Sequence, residues 1–146
     1  MRSLGLDIGD KRIGVALSDP MGILASPLLV FERKDDVADI DFILNEVKIN
    51  HVERIIVGLP QSMNGTIGAQ AEKVKSLAEI LRQNSPVPVE FRDERLTTVN
   101  AKRLLQEAGR KKSQKHKKGE FDAAAAAIIL QSYLNEAKPL EFPPET

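Results

Sequence analysis

Three short apolar runs lie within the first 31 residues, and from residue 35 onward apolar segments of helical spacing alternate with short β-branched runs. That change of period constrains the fold more than any other feature, because it separates a closely spaced set of strands from a strand–helix alternation. Residues 4–8 and 13–17 read as two strands joined across the turn signal Gly9-Asp10. Pro20 and Gly22 interrupt the pattern, and residues 27–31 resume it as a third strand. Strands this close together predict an antiparallel meander.

The period changes after Asp35 and Asp36, either of which can cap a helix. Val37, Ile40, Ile43 or Leu44, and Val47 then recur at helical spacing to about Asn50. Residues 54–58 form a continuous β-branched run, too short for a helix and suited to a buried strand. After a Pro/Asn/Gly loop at 59–65, Thr66 is a candidate cap for a second helix, with Ile67, Ala71, Val74, Leu77, Ala78 and Leu81 on one stripe. Pro86 and Pro88 bracket a strand over 87–91, which leads into Asp93, Glu94 and Arg95. A third helix is expected from Thr97 or Thr98 through Ala108, with Gly109 as its stop. A basic loop follows at 110–119, and a last helix from about Glu120 to Ala137. Alternating strands and helices require parallel crossovers that cover both faces of a sheet. The expectation is therefore an α/β domain in three layers. Its five-stranded mixed sheet combines an antiparallel meander of three strands with two parallel strands. No repeat or linker divides the 146 residues, so one domain is expected over 1–138, with a Pro/Glu tail at 139–146.

The chain has no cysteine, which removes thiolate chemistry and disulfides. It shows no signal-peptide pattern at its start and no apolar run of membrane-spanning length, so a cytoplasmic location away from membranes is expected. The formal net charge is zero, which argues against nucleic acid only until its distribution is considered. Arg110, Lys111, Lys112, Lys115, Lys117 and Lys118 fall in nine residues without an acid, whereas Glu136, Glu141 and Glu145 collect near the end. A neutral total thus conceals a basic patch able to contact phosphates. Lys11 and Arg12 add two cations in the first hairpin turn. With five Phe, one Tyr and no Trp, extensive base stacking is not expected, and backbone or shape recognition of structured nucleic acid fits better.

Several carboxylates occupy positions where chemistry is commonly found. Asp7 lies near the end of an otherwise apolar strand, where a charge needs a partner, a metal or water. It could equally cap the adjacent turn. Asp93 and Glu94 follow the last strand, and alternation means that only one of them can share a face with a given site. Asp122 falls in the first turn of the final helix, where the helix dipole favours an acid in any case. Together they gather at the carboxyl ends of strands, where sites collect in sheets with parallel crossovers. The small residues 123–127 would let the final helix approach the sheet closely. Oxygen ligands without sulfur suit Mg²⁺ or Mn²⁺. Two such ions about 3.5–4 Å apart can serve phosphodiester cleavage. His51 and His116, the only histidines, have no nucleophilic partner in view.

These residues also form a recognisable set. Leu4-Gly5-Leu6-Asp7-Ile8-Gly9, Lys11-Arg12-Ile13-Gly14-Val15-Ala16 and Ser18-Asp19 resemble the opening motif of the YqgF (RuvX-like) family. Val57-Gly58-Leu59-Pro60 with Met63 and Gly65 resembles its second motif. Asp93-Glu94-Arg95-Leu96-Thr97-Thr98 and Asp122-Ala123-Ala124-Ala125 resemble the third and fourth, in family order across nearly the whole chain. The resemblance implies an RNase H-like fold, dependence on Mg²⁺ or Mn²⁺, and nuclease activity. Members are described as Holliday junction resolvases and as nucleases maturing the 5′ end of the small-subunit (16S) ribosomal RNA precursor. It makes Asp7 the first-strand metal ligand and Asp122 the final-helix ligand. The middle ligand would be Glu94, or else Asp93, because Val57-Gly58-Leu59-Pro60 stands where related RuvC-type resolvases carry a glutamate.

The leading expectation is a metal-dependent endonuclease that processes the ribosomal RNA precursor. Resolution of branched DNA is the alternative, and monomer and homodimer both stay open. In this reading Lys11, Arg12, Arg95 and the cations of 110–118 contact nucleic acid. A ribosome assembly factor that binds without cutting would use the same basic residues and need no metal. Asp7-Ile8-Gly9 also resembles the phosphate loop of actin-like ATPases and sugar kinases, but those need a second domain for which this chain has no room.

Overall fold

The computed structural model describes residues 1–59, 68–93 and 118–137. Strands β1 (Ser3–Ile8), β2 (Arg12–Ser18) and β3 (Ala25–Glu32) come first. Helix α1 (Asp36–Ile49), strand β4 (Arg54–Leu59), helix α2 (Ala69–Asn84), strand β5 (Val89–Asp93) and helix α3 (Lys118–Ala137) follow. The sheet order is β3-β2-β1-β4-β5. The first three strands pair antiparallel, while β4 runs parallel to both β1 and β5. This is the mixed sheet expected from the change of period. The helix expected from residues 97–98 to 108 lies outside the described residues, as do Thr66 and Ile67.

Strand alternation divides the core between two faces. Leu4, Leu6, Ile8, Ile13, Val15, Ile55, Val57 and Leu59 pack with Ile40, Ile43 and Val47 of α1 and Ala71, Val74, Leu77 and Leu81 of α2. The opposite face presents Ala16 and Ile56 to Ala126, Ile129, Leu130 and Leu134 of α3. Three layers result, with β1 at the centre of the sheet.

Helix α1 begins as the sequence suggests, with the Asp35 side chain accepting from the Ala38 amide. It ends in a Schellman motif. The Val52 amide donates to Val47 O at 2.9 Å and the His51 amide to Lys48 O at 3.4 Å, while Val47 and Val52 share the core. His51 therefore occupies the left-handed position, at φ 56°, which a side chain disfavours. This explains one of the two histidines as a helix terminator. His51→Gly should raise unfolding free energy by about 0.5–1 kcal/mol in urea titrations.

Four element starts differ from the expected ones, the first being β3, which begins at Ala25 and not at Pro27. Gly68, not Thr66, is the cap position of α2. Strand β5 starts at Val89, two residues late, because Ser85 Oγ holds both the amide and the carbonyl of Val87 in a turn. At its other end the strand stays paired with β4 as far as Leu59, so Asp93 is the last strand residue instead of following the strand. Helix α3 starts at Lys118, which places Lys118 and Gly119 in the helix and not in the basic loop.

At the outer edge, β3 carries Pro27 and a register shift opposite Val15 and Ala16 that leaves Leu28 as the extra residue. Proline and a bulge both discourage pairing with another strand. The turn entering β3 is held by Asp19, whose Oδ1 accepts from Ile23 N at 2.7 Å and Leu24 N at 2.9 Å. Those amides, Leu24 foremost, hold the Asp19 carboxyl below its ordinary value. Its contribution to the turn is thus complete above the unfolded-state pKa near 3.8 and is lost as pH falls through the lower folded value. Amide exchange at Ile23 and Leu24, corrected for intrinsic pH effects, should lose protection in that acid range, and Asp19→Asn should abolish the dependence.

Candidate active site

Asp7 is the next-to-last residue of β1 and is half-buried. By alternation it shares a face with Gly5, on the α3 side of the sheet, while Leu6 and Ile8 point into the α1–α2 core. Its neighbour across the β1–β2 pair is Gly14. On the other side Leu6 pairs with Val57, so Gly58 comes next along β4. Asp7 therefore projects between two strand positions that carry no side chain. In the sequence Gly14 appears only as one member of the opening motif. Its pairing with Asp7 shows only once the register is known.

Helix α3 crosses this face very closely. A Cβ built on Gly5 would lie 2.8 Å from Leu130 Cβ and 3.0 Å from Ala126 O. The direction of the helix follows from its other contacts. Ser3, two residues before Gly5, is paired with Arg54, whose guanidinium hydrogen-bonds the Tyr133 hydroxyl. Helix and strand are thus antiparallel, and the helix's N-terminal turns extend towards Asp7. From Gly5 to Asp7 the strand advances about 6.6 Å. From Ala126 back to Asp122 the helix advances about 6 Å. The N-terminal turns of the helix, which carry Asp122, thus run towards the end of the sheet where β1, β4 and β5 terminate.

The other half of α3 is fastened by two arginines that sequence reasoning did not single out. Arg92 donates from Nη2 to Ser132 Oγ at 2.8 Å, from Nε to the same oxygen at 3.3 Å, and from Nη1 to the Glu136 carboxylate. The hydrogen bond and charge of Arg92 hold the Glu136 carboxyl below its ordinary value. Arg54 stacks on the Tyr133 ring at 5.8 Å and lies 3.1 Å from Glu90, near enough for Coulombic attraction but not aligned for a hydrogen bond through Nε. Their partners are 40 or more residues away in sequence, except for Glu90, so no local pattern announces them.

The remaining acids divide by register. Asp93 pairs with Leu59, and Leu59 belongs to the α1–α2 face. Asp93 thus occupies the phase opposite to Asp7. Glu94 lies outside the described residues, together with Arg95, Arg110, Lys111, Lys112, Lys115 and Lys117. Lys118 opens α3. Lys11 is exposed and Arg12 half-buried, both beside the turn that follows Asp7. Among the described residues, no three His, Asp or Glu side chains gather as a metal cluster, and no helix is long and apolar enough to cross a membrane.

A family model described as RuvX, Holliday junction resolvase, matches residues 1–136. A "Putative pre-16S rRNA nuclease" of Dehalococcoides mccartyi is 47% identical over 137 residues, covering 94% of this chain and 100% of the relative. A protein of the same description from Caldanaerobacter subterraneus subsp. tengcongensis is 49% identical over 138 residues, covering 94% and 99%. Among solved structures, T. thermophilus RuvC in complex with a Holliday junction substrate superposes with a TM-score of 0.64 over 94% of this chain and 96% of that one. At 13% identity that likeness is one of fold.

Proposed function

This chain belongs to the RuvX family, and from that membership we propose that it is a metal-dependent endonuclease acting on structured RNA, with the 5′ end of the small-subunit ribosomal RNA precursor as its substrate. The observation that supports the proposal most is the close crossing of α3 over Gly5, which directs the N-terminal turns of the helix towards the end of the sheet that carries Asp7. The likeness to the two pre-16S rRNA nucleases supports the ribosomal RNA precursor as substrate.

The donor set suits a hard divalent cation. Asp7 is a half-buried carboxylate beside Gly14, and the chain has no cysteine to offer a thiolate. In this reading Asp7, Asp122 and Glu94 would hold Mg²⁺ or Mn²⁺, as a pair of ions. Glu94 is preferred to Asp93 because Asp93 is in phase with Leu59, away from Asp7. When bound, such ions supply Lewis acidity and charge neutralisation at the scissile phosphate. The chain's own contribution is to hold anionic oxygens at fixed places and to seat the phosphate backbone. Lys11 and Arg12 flank the site, and Arg95 with the cations of 110–118 extends the contact along the nucleic acid, an attraction that weakens with salt.

Metal-dependent cleavage tests this. The wild type is offered a precursor fragment spanning the 5′ end and a four-way DNA junction, with Mg²⁺, Mn²⁺ or EDTA. Cutting of the RNA only with metal supports the proposal. Cutting of the junction alone moves the substrate to branched DNA, the reading favoured by the family model's description. Binding without cutting in every condition replaces the nuclease with an assembly factor.

A further inference from the structure

The turn that ends β1 lacks the backbone geometry that would keep it in register unaided. Asp10 and Lys11 form a two-residue loop, closed by the Gly9 amide donating to Arg12 O at 2.8 Å. Loops of this length favour mirror-image turns with positive φ, whose twist matches that of the strands. Neither Asp10 nor Lys11 has that conformation, since His51 is the only non-glycine residue with positive φ among the described residues. Other two-residue turns splay the strands they join. A restraint from outside the hairpin would offset that tendency.

Arg33 provides it at both ends of the loop. Its amide donates to Lys11 O at 2.9 Å, and its Nη1 donates to Gly9 O at 3.2 Å. The guanidinium is itself gripped. Nε donates to Asp39 Oδ2 at 3.0 Å, and Nη2 to the exposed Asp36 at 3.3 Å. Asp39 is 2% exposed, and its second oxygen accepts from the Lys34 amide at 3.0 Å. A carboxylate buried this deeply is costly unless paired and hydrogen-bonded. The Asp39 carboxylate bonds residues 33 and 34, so it fastens that segment against the turn.

We propose that Arg33, held by Asp39, is a positioning residue for cleavage: it fixes the turn at 9–12 and thereby the end of β1 that carries Asp7, together with Lys11 and Arg12. The inference rests on the nuclease reading of the site. Its test separates the two. Wild type, Arg33→Lys and Asp36→Ala are compared as full chains, first by amide exchange without metal or nucleic acid, then by kcat and KM on the precursor fragment at saturating Mg²⁺. Lysine keeps the charge facing Asp39 but lacks the fork that reaches Gly9 O at the same time. Exchange at the Gly9 amide should quicken roughly tenfold in Arg33→Lys. The value of kcat should fall by roughly tenfold to a hundredfold, as for a misplaced reacting group. Asp36→Ala should change neither.

Faster exchange with wild-type kcat would overturn the positioning role, and unchanged exchange at Gly9 would overturn the clamp itself. Should Arg33→Lys fail to fold, Asp39→Asn carries the same comparison, because it keeps an acceptor oxygen while losing the charge. A wild type that cuts nothing removes the nuclease reading. The clamp then stands or falls on exchange at Gly9 alone.

Discussion

Asp7→Asn should lower cleavage of the ribosomal RNA precursor by roughly 10³-fold or more, the scale on which electrostatic groups of active sites act, while leaving the fold intact. Asparagine matches aspartate in volume, so the space beside Gly14 is filled as before. What changes is the formal charge and the number of anionic oxygens available to a divalent cation. Half-buried near the end of β1, residue 7 is remote from the side chains of the α1–α2 core, and melting should shift by only a few degrees. The measurement is single-turnover cleavage with Mg²⁺ and with Mn²⁺, paired with a thermal melt. A wild-type rate in the Asn variant would remove Asp7 from the chemistry. Ligands that act as one unit are not additive. Asp7→Asn combined with Asp122→Asn should accordingly cut no more slowly than the worse single variant. Multiplying losses would mean that the two acids serve different steps.

The part of the site that could be read from the sequence is the part set by local pattern. Asp7 was identifiable because it interrupts an apolar run just before a turn, and Asp35 because it precedes a helical stripe. The phase of Asp93 was not. Proline brackets at 86 and 88 suggested a strand from 87, but sheet pairing begins where the Ile55 amide reaches Pro88 O, and Ser85 keeps Val87 in the turn. That two-residue offset leaves the alternation unchanged; the phase of Asp93 follows from the pairing that runs on to Leu59 opposite it. The start of α3 was hidden for another reason. Its first residue is a lysine, which the positive end of the helix dipole disfavours, and its opening turn has no apolar stripe to detect. Nothing in the local pattern sets Arg54 and Arg92 apart, and only the crossing of distant elements brings them to Tyr133, Ser132 and Glu136, as it brings Arg33 to Gly9 O.

Gly5 is the sharpest case of a role that only the assembled layers reveal, and its replacement should cost both stability and activity. Gly5→Val should destabilise the protein by about 3 kcal/mol, at the upper end of ordinary overpacking. The atoms in the way are Leu130 Cβ and the Ala126 carbonyl, neither of which can rotate aside as the tip of a long side chain could. Leu130 and Ala126 are fully buried, so the helix itself has to lift from the sheet. The strand positions flanking Gly5 are Ala16 and Ile56, which already contact α3, and they leave no free space to absorb the added volume. Lifting α3 carries Asp122 away from Asp7, since the same helix sets their separation. Cleavage should therefore fall well beyond what the unfolded fraction explains, by roughly a hundredfold for a displacement near 1 Å. Measured at a temperature where denaturant titration shows the variant fully folded, that loss should be accompanied by a higher Mg²⁺ requirement. Gly5→Ala should give the same pair of effects at smaller size. A Gly5→Val protein that is destabilised yet cuts at the wild-type rate when folded would show that α3 does not set the geometry of the carboxylates.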